Sequence, residues 1–395
     1  MSAADLPISR RKPVKVFMVV GEESGDQLAA GLMRALKTRL AGRVEFSGVG
    51  GAAMAAEGLI SLYPLADFAV MGFLAVAKRL PALAARIRDI ARAAIAANPD
   101  VLVIVDSPDF THRVARRVRR AAPELPIVDY VSPSVWAWRP GRAREMRRYV
   151  DHVLALLPFE PAAHARLGGP PCTYVGHPLA EQIAELRPNQ QEAHRRLAHP
   201  PVLLVLPGSR RSEIRRLLPV FAAAVDRVAR TVGPLELRLP TVPHLQDEVA
   251  AATSSWKQPP RVIVDPKEKR SAFRVARAAL AASGTVTLEL ALAGVPMVAA
   301  YRVAAVEAAI LRRLIRVPSV ILANLVLEEN IVPEFLQENC TAEFLSDALA
   351  PLLKQGPQRQ RQLDAFAKLD SIMQIGSAVP SLKAAEVVTS FANAN

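Results

Sequence analysis

Residues 279–302, ALAASGTVTLELALAGVPMVAAYR, indicate how the second half of the chain folds. An apolar run ends in the turn 283–285 (SGT), and a helix-like segment that is apolar except for Glu289 follows it. Residues 294–296 (GVP) end that helix, and a second apolar run begins at 297–301. This order predicts a parallel βαβ unit, because parallel strands need a crossover and a helix usually supplies it.

The turn 283–285 is small and polar and comes directly before the predicted helix. The first backbone N–H groups of a helix have no partner within it, and the helix dipole favours negative charge there, so this turn suits a phosphate. The carboxylate of Glu289, one turn further on, suits both hydroxyls of a ribose. Taken alone, the stretch is also compatible with an ordinary crossover that has Glu289 on a solvated face.

Length and charge limit the class of protein. At 395 residues the chain is too long for one ordinary core and predicts two domains. A formal net charge of +13 favours an anionic partner: a nucleic acid, an anionic membrane surface or a phosphorylated substrate.

The two cysteines, Cys172 and Cys340, lack metal-ligand spacing and indicate reduced thiols in a cytosolic protein. No run approaches the ~20 apolar residues of a membrane span, so we expect any membrane contact to be at the surface.

Apolar runs alternate with segments of helical periodicity through the first half of the chain. We predict strands at 14–20, 44–49, 101–105 and 127–131, and helices at 26–40 and 111–122. Continuous Val/Ile-rich strands that alternate with helices predict a parallel sheet covered on both faces, which is the doubly wound α/β class.

The composition becomes polar and charged between residues 181 and 198, and the βα pattern restarts at 201–206. We therefore expect an N-terminal Rossmann-like domain over 1–188 and a C-terminal one over 189–357, with a helical tail over 358–395 that packs on either domain. Two such domains with a cleft between them are the simplest architecture.

The first predicted strand leads into 21–26 (GEESGD), the loop where α/β proteins place ligands. It has neither a dinucleotide fingerprint nor a P-loop. The carboxylates of Glu22 and Glu23 would repel a pyrophosphate, but beside glycines they suit a hydroxyl-rich sugar. The loop is equally compatible with an ordinary helix start that is capped by Ser24 or Asp26.

The third predicted strand ends in 106–110 (DSPDF), which brings Asp106 and Asp109 to its carboxyl end. A carboxylate there can act as a general base if it lies within hydrogen-bond reach of the proton that it takes. Asp109 is also well placed to cap the basic helix that follows. The residues alone leave open the choice between these roles and between the two carboxylates.

Residues 133–142 (PSVWAWRPGR) place Trp136 and Trp138 before a series of arginines that continues to Arg148. Such side chains can stack nucleobases and hold phosphates, or contact a membrane interface or a phosphorylated lipid. No recognised nucleic-acid-binding module accompanies them, and a solvated arginine face over buried indoles is the third interpretation. The apolar segment 70–76, with basic residues after it, fits either a bilayer or acyl-chain contact or a core segment.

The second predicted domain opens with 203–213 (LLVLPGSRRSE), a strand that ends in Pro-Gly-Ser before two arginines. An arginine here can stabilise the negative charge that develops on a departing diphosphate. Arg210, the turn 283–285 and Glu289 fall in the same domain. Together they predict a nucleotide-diphosphate site.

Seven segments together resemble the lipid-A-disaccharide synthase family, whose motifs they match in order over most of the chain. They are 21–26 (GEESGD), 99–110 (PDVLVIVDSPDF), 132–142 (SPSVWAWRPGR), 174–179 (YVGHPL), 206–213 (LPGSRRSE), 283–302 (SGTVTLELALAGVPMVAAYR) and 324–340 (NLVLEENIVPEFLQENC). The resemblance implies the GT-B glycosyltransferase fold, with two Rossmann-like domains that face each other across a cleft. It also implies an inverting enzyme that joins UDP-2,3-diacylglucosamine to 2,3-diacylglucosamine 1-phosphate (lipid X), giving a β-1,6-linked disaccharide 1-phosphate and UDP.

The same resemblance assigns site residues to the matching positions of this sequence. The donor site is implied at Arg210, Ser283, Gly284, Thr285, Glu289, Asn324, Glu334 and Gln337, and the acceptor site at Glu22, Glu23 and Ser24. Asp109 is the position that the family pattern marks as the base, and Asp106 is second. The resemblance implies neither a metal nor a cofactor, because cationic side chains take the place of a metal. Near Glu328 the sequence departs from the family pattern, because many members carry a glycine there.

Partners and location are also implied by the resemblance. Anionic, amphiphilic substrates and a basic chain imply peripheral association with the inner face of the inner membrane, from the cytoplasm. Family dimers that exchange C-terminal elements add a homodimer to the expected states. Two other functions stay open: a GT-B UDP-N-acetylglucosamine transferase or epimerase with a non-lipid substrate, and a basic nucleic-acid-binding protein. The carboxylate-lined loops argue against the nucleic acid.

Overall fold

The computed structural model describes residues 12–65, 73–304, 307–308, 314 and 317–393, with the backbone alone for 73–80. Contacts between residues divide the chain into two compact units. Unit 1 extends to Pro178 and resumes at Gly376, and unit 2 is Leu179–Ile375.

Unit 1 is a parallel α/β sheet with helices on both faces. Its elements before unit 2 are β1 (Val14–Val20), α1 (Glu23–Arg39), β2 (Val44–Val49), α2 (Ala52–Ala56), α3 (Phe73–Ala97), β3 (Val101–Val105), α4 (Pro108–Ala121), β4 (Ile127–Tyr130), α5 (Gly141–Met146), β5 (His152–Ala155), α6 (Glu160–Leu167) and β6 (Cys172–Tyr174). The strands pair in parallel in the order β2-β1-β3-β4-β5-β6. Successive residues of β1 point to opposite faces, so Val16 and Met18 belong to one core and Phe17 and Val19 to the other.

Unit 2 repeats this architecture. Its elements are α7 (Ile183–Leu186), α8 (Gln190–Leu197), β7 (Val202–Leu206), α9 (Arg211–Val232), β8 (Glu236–Pro240), α10 (Gln246–Thr253), β9 (Arg261–Ile263), α11 (Pro266–Val275), β10 (Ala278–Ala282), α12 (Val286–Leu292), β11 (Met297–Tyr301), α13 (Leu322–Leu327), β12 (Glu334–Leu336), α14 (Ala342–Leu353) and α15 (Pro357–Ile372), with 3₁₀ turns at Pro178–Gln182, Pro243–Leu245 and Gln337–Asn339. All strands are parallel, in the order β12-β11-β10-β7-β8-β9. The βαβ unit predicted within 279–302 is β10-α12-β11, with Leu280 beside Val298.

The strand order reverses direction once in each sheet. In unit 1 the chain goes from β1 to β2 on one side and returns to β3 on the other, and in unit 2 it leaves β7 towards β9 and returns to β10 beside β7. At such a reversal the two loops at the carboxyl ends of the central strands lead to opposite faces, which leaves a crevice that binds ligands in open α/β sheets. The candidate site residues Glu22, Glu23, Ser24, Asp106, Asp109, Arg210, Glu289 and 283–285 follow β1, β3, β7 and β10, so they lie at the two reversals, whereas Asn324, Glu334 and Gln337 lie on α13 and at β12.

The residues after 357 do not form one tail. Helix α15 belongs to unit 2, where the side-chain amide of Gln362 accepts a hydrogen bond from the Met297 N–H at 2.8 Å and donates one to the Met297 carbonyl at 3.0 Å. The last helix, α16 (Pro380–Ala392), belongs to unit 1. It packs on α1, and Ala384, Ala385 and Val388 are fully buried in that core. The segment 358–395 is therefore shared between the units.

The units also divide at a different residue from the predicted domains. The division follows Pro178, ten residues before the expected boundary at 188. The physical reason is that α7 and α8 pack on α11, so the polar segment that the sequence analysis took as a boundary is part of unit 2.

Arg196 is a buried basic residue within that polar segment. Its side chain donates to four backbone carbonyls: Phe273 and Arg274 in the last turn of α11, and Ala293 and Gly294 after α12, at 2.9–3.2 Å. The last carbonyls of a helix have no partner within it, so the guanidinium satisfies acceptors that two helices leave over. Burial lowers the pKa of Arg196 to about 10. The residue ties α8, α11 and α12 together.

No helix in the described part of the chain is both long enough and apolar enough to cross a bilayer.

We predict that Arg196→Met destabilises unit 2. The substitution leaves the four carbonyls without their donor, which should lower the free energy of unfolding by about 3 kcal/mol. Arg261→Met is the control, because Arg261 pairs with Glu268 on the surface, with 65% of its side chain exposed, and should change it by less than about 1 kcal/mol. Urea unfolding followed by circular dichroism measures both. Equal losses in the two variants would contradict the role of Arg196.

Candidate active site

The loops after β1 and β3 meet at the strand reversal of unit 1. The Ser24 hydroxyl donates to Asp106 Oδ2 at 3.4 Å. A Cβ atom on Gly21 would lie only 2.5 Å from Cβ of Ser107, so glycine is what allows the two loops to approach this closely. Glu22, Glu23 and Ser24 are exposed beside this contact. The structure thus brings together the two loops that the sequence analysis singled out separately.

Three non-glycine residues at this edge of the sheet have positive φ angles. They are Asp106 (53°) and Ser107 (45°) after β3, and Val131 (91°) after β4, where a β-branched residue is a marked outlier. Local hydrogen bonds hold the turn after β3: Thr111 Oγ1 donates to the Asp106 carbonyl at 2.6 Å, and the Ser107 N–H donates to Asp106 Oδ1 at 2.7 Å. Strained backbone that its surroundings hold in place is typical of functional sites.

Asp109 lies in the first turn of α4 and projects towards solvent. Ser107 occupies the N-cap position, so Asp109 does not cap the helix as one interpretation of the sequence proposed. The Asp109 carboxylate is 73% exposed, and its Oδ1 accepts a hydrogen bond from Arg142 Nη2 at 2.6 Å. Arg142 is only 16% exposed. A carboxylate at the surface is therefore paired with a guanidinium that is held deeper in the protein.

Asp26 has a structural role that the sequence analysis did not find. It is buried, and its carboxylate accepts hydrogen bonds from the N–H groups of Gly51, Ala53 and Met54 at 2.7–3.2 Å. Asp26 therefore caps the start of α2. Its own helix, α1, begins at Glu23 after Glu22 in the N-cap position and has no side-chain cap.

A buried polar network lies beneath the start of α4. The ring of His112 contacts Asp129 Oδ2 through Nε2 and the Tyr149 hydroxyl through Nδ1, both at 3.1 Å. Arg116 Nη2 donates to the same hydroxyl at 3.3 Å. Burial raises the pKa of the Asp129 carboxyl, and His112 opposes that rise. No local pattern in the sequence predicts this network, because its members come from α4, β4 and the segment after α5.

The segment that contains the paired tryptophans is anchored at one end and exposed at the other. The Trp136 indole N–H donates to Glu160 Oε1 at 3.1 Å, and Glu160 Oε2 accepts from the N–H groups of Leu156 and Leu157. Burial raises the pKa of Glu160 to about 7. The Arg139 guanidinium lies over the Trp138 ring, 4.4 Å from its centroid.

Unit 2 has a pocket of about 490 Å³ at its own strand reversal. Its lining comes from the carboxyl ends of β7, β8, β10 and β11, from the start of α9, from α11 and from α12 with the turn before it. It includes Arg210, Glu213, Lys269, Ser283, Gly284, Thr285, Glu289 and Tyr301. The predicted donor residues Arg210, 283–285 and Glu289 thus share one pocket. Most of the other lining residues were not singled out.

Glu213 fills the turn that precedes α9. Its carboxylate lies near the Arg210 N–H (3.3 Å), Arg210 Nη1 (3.4 Å) and the Tyr301 hydroxyl (3.4 Å). Gly208 has a φ of 105°, and a Cβ atom there would lie 2.2 Å from Glu213 Oε2. The Arg210 side chain remains 61% exposed. Its guanidinium is accessible to an anion that enters the pocket.

Glu289 is paired inside the same pocket. Its Oε2 accepts from Lys269 Nζ at 2.9 Å, across the space between α11 and α12. The pair gives this side of the pocket both a hydrogen-bond acceptor and a cation. Glu289 was predicted from the sequence, whereas Lys269 was not, because it lies 20 residues away in the chain.

The remaining predicted donor residues, Asn324, Glu334 and Gln337, hold the backbone next to the pocket. Asn324 is buried; its amide bonds Ser319 Oγ and the backbone at Ile331 and Val332. Glu334 accepts from the Ser319 hydroxyl and the Val320 N–H, and burial raises its pKa.

These residues reach the turn 283–285 indirectly. Ser283 Oγ donates to the Val320 carbonyl at 3.4 Å, so Glu334 and the turn meet at the same residue. The Gln337 amide pairs with the backbone of Val303.

The apolar segment 70–76 lies largely outside the described residues. Residues 70–72 are not among them, and only the backbone of 73–80 is, as the start of α3.

Comparison with known proteins decides the family. Residues 16–387 match the family model described as Lipid-A-disaccharide synthetase. The chain is 62% identical over 374 residues, 95% of this chain and 94% of the relative, to the lipid-A-disaccharide synthase of Nitrobacter winogradskyi. This chain belongs to the lipid-A-disaccharide synthase family. The predicted family is confirmed, and the chain is a glycosyltransferase enzyme.

A more distant member gives the same result. The lipid-A-disaccharide synthase of Rhodospirillum centenum is 45% identical over 379 residues, 95% of this chain and 94% of the relative. Both relatives match this chain over about 95% of its length. This similarity does not support the two other interpretations, a GT-B enzyme with a non-lipid substrate and a nucleic-acid-binding protein.

Solved structures of other proteins share the fold. The UDP-GlcNAc 2-epimerase from Neisseria meningitidis bound to UDP-GlcNAc has a TM-score of 0.62 at 11% identity, and the comparison covers 97% of this chain and 100% of that chain. CalG4, the calicheamicin glycosyltransferase, has a TM-score of 0.59 at 18% identity, covering 97% of this chain and 99% of that chain. At these identities the similarity shows the fold alone, which is the predicted GT-B fold.

Glu328 marks a local departure from the family pattern. The residue ends α13 with a φ of 53°, in the left-handed region. Glycine adopts this conformation without steric strain, whereas another residue gives up about 1 kcal/mol there. A glycine, which the family resemblance implies near this position, would adopt this conformation more easily than Glu328 does.

Proposed function

We propose that this enzyme transfers 2,3-diacylglucosamine from UDP-2,3-diacylglucosamine to the 6-hydroxyl of lipid X, giving the β-1,6-linked disaccharide 1-phosphate and UDP. The observation that carries the proposal is the 62% identity, over 95% of the chain, to a relative named lipid-A-disaccharide synthase. The polar residues at both strand reversals are consistent with it, since a sugar transferase needs one site for a nucleotide sugar and one for its acceptor.

The donor is proposed to bind the pocket of unit 2, within the predicted C-terminal domain. The exposed guanidinium of Arg210 stands at the start of α9 and lines the pocket together with the turn 283–285. This combination suits the diphosphate. Glu289 suits the ribose hydroxyls, with Lys269 beside it. Asn324, Glu334 and Gln337 would act by holding the segments next to the turn 283–285.

The acceptor is proposed to bind unit 1, at the loop of Glu22, Glu23 and Ser24, with Asp109 as the base. Both carboxylates of the β3 end are candidates, but they differ in access. Asp106 is engaged by the Ser107 N–H and the Ser24 hydroxyl, whereas Asp109 is 73% exposed. An accessible carboxylate can come within hydrogen-bond distance of the substrate hydroxyl, so Asp109 is the first choice.

The proposed reaction is a direct displacement with inversion. Asp109 takes the proton of the 6-hydroxyl while the 6-oxygen bonds to the anomeric carbon of the donor. The bond from that carbon to the diphosphate oxygen breaks, and its electron pair leaves with UDP. Arg210 and the backbone N–H groups of the pocket stabilise the charge that grows on the diphosphate.

We also place the enzyme at the cytoplasmic, inner face of the inner membrane as a peripheral protein. Its proposed substrates are acylated, its net charge is +13, and α4 and the segment around α5 expose Arg113, Arg120, Arg147 and Arg148. We expect the protein to sediment with phosphatidylglycerol vesicles at low salt and to be released at high salt; no sedimentation at low salt would contradict this location.

The resemblance to the family also implies a homodimer. Analytical ultracentrifugation tests this oligomeric state.

The activity is tested by incubating the purified protein with both lipid substrates in detergent. UDP and the disaccharide should form together, and neither should form when one substrate is omitted. Asp109→Asn should lower turnover by about 10²- to 10⁴-fold, the range for loss of a general base, and leave UDP affinity unchanged. Asp89→Asn, an exposed carboxylate on α3, is the matched control. Near-normal turnover of Asp109→Asn would remove Asp109 from the base role.

The donor site is tested by comparing two neighbouring arginines. Arg210→Ala should lower kcat/KM for the donor by about 10- to 100-fold, because a charge-assisted hydrogen bond to the diphosphate is lost. Arg211→Ala should have little effect, because Arg211 does not line the pocket and pairs with Glu248 at 2.6 Å. Initial rates at varied donor concentration measure both. Equal losses of kcat/KM in the two variants would show that the positive charge near α9 matters and that a specific contact of Arg210 with the diphosphate does not.

A further inference from the structure

The guanidinium of Arg142 is largely buried and pairs with the carboxylate of Asp109. Among the described residues its side chain has one hydrogen-bond partner, Asp109, which it contacts through Nη2 at 2.6 Å. An arginine carries five N–H donors, and a planar guanidinium favours a bidentate anion. The side chain of Arg142 is only 16% exposed while that of Asp109 is 73% exposed, so the carboxylate is the member of the pair with more room to move.

The pair stands at the edge of the sheet where the acceptor is proposed to bind. Its carboxylate is in the first turn after the strained residues Asp106 and Ser107, and its guanidinium follows the segment anchored by Trp136. The other carboxylates of this edge, Glu22, Glu23 and Asp106, make it acidic apart from the arginines of 139–142. An anionic substrate would therefore gain from an arginine at this edge.

The proposed acceptor carries an anion close to its nucleophile. In 2,3-diacylglucosamine 1-phosphate the anomeric carbon, which bears the phosphate, and the carbon that bears the 6-hydroxymethyl group are both bonded to the ring oxygen. The phosphate and the 6-hydroxyl therefore lie along the same edge of the sugar. A paired arginine and carboxylate match this arrangement, one member for each group.

We propose that Arg142 binds the 1-phosphate of the acceptor and that the phosphate replaces Asp109 as its partner. This inference rests on the proposed function and deepens it. Before the acceptor binds, Asp109 Oδ1 is held by the guanidinium. When the phosphate binds the guanidinium, the Asp109 carboxylate is released. It can then accept a hydrogen bond from the 6-hydroxyl and afterwards its proton. Arg142 thus selects a phosphorylated acceptor and couples its binding to the availability of the base.

Two acceptors distinguish binding of the 1-phosphate by Arg142 from a role of Arg142 that does not depend on the phosphate. They are lipid X and its dephosphorylated form, 2,3-diacylglucosamine. With Arg142→Gln, kcat/KM for lipid X should fall by about 10- to 100-fold, because hydrogen bonds to a charged group are lost. With the dephosphorylated acceptor the variant should exceed the wild type, because no phosphate contact is lost and Asp109 is no longer held by the guanidinium; a value equal to the wild type would contradict the release of Asp109 by the phosphate. Initial rates of UDP release with each acceptor measure both values.

Arg144→Gln is the control, since Arg144 is an exposed arginine on the same helix, α5, and should leave the preference between the two acceptors unchanged. An unchanged circular dichroism spectrum and urea midpoint of Arg142→Gln show that unit 1 of the variant is folded, and unchanged UDP affinity shows that the donor site of unit 2 is intact. An equal loss with both acceptors would mean that Arg142 only positions Asp109, and no loss with either would mean that it has no role; each overturns the proposal. No disaccharide from wild-type enzyme and lipid X would instead overturn the proposed function.

Discussion

Both candidate sites depend on the parallel pairing of two strands that are distant in the chain, β1 with β3 and β7 with β10. In each sheet the strand order reverses at this pair, so the loops that follow the two strands lie side by side while the helices after them pack on opposite faces. The strands themselves are buried and apolar, which leaves their first following residues as the places where polar side chains can reach a ligand. Ser24 and Asp106 meet in unit 1 for this reason, and Arg210 shares a pocket with the turn 283–285 in unit 2.

The basic composition serves two separate purposes. Some arginines are structural: Arg196, Arg277 and Arg359 are buried, and each donates to backbone carbonyls at the ends of neighbouring segments. Others, such as Arg210, remain exposed where an anion can reach them. Net charge alone therefore overstates the surface available to an anionic partner. Whether an arginine is structural or available to an anion depends on whether packing places it beside backbone carbonyls that a helix leaves unpaired.

The sequence predicted the strands better than the beginnings of the helices. Strand β3 was predicted at Val101–Val105, as observed, because a continuous apolar run is a local signal. Helices α1 and α4 each begin three residues before the predicted start, at Glu23 and Pro108. The reason in α4 is the left-handed backbone at Ser107, and in α1 it is that Asp26 caps another helix; neither is visible in local composition.

The candidate sites show the same limit. Residues of one loop, such as 283–285, could be predicted from the pattern of apolar and polar residues. Pairs such as Arg142 with Asp109, or Lys269 with Glu289, join elements 33 and 20 residues apart and need the sheet to bring them together. The motif that contains Arg142 was recognised, but its partner could be found only in the folded chain.

The return of the chain to unit 1 has a consequence for folding during synthesis. Helix α16 supplies Ala384, Ala385 and Val388 to the core of unit 1, although all of unit 2 is translated before it. Unit 2 is contiguous and can close its core as soon as it leaves the ribosome, whereas the earlier unit must wait with part of its apolar surface, on α1, uncovered. The N-terminal half therefore emerges first and finishes last, and during that interval it is the part of the nascent chain most exposed to aggregation and to chaperones.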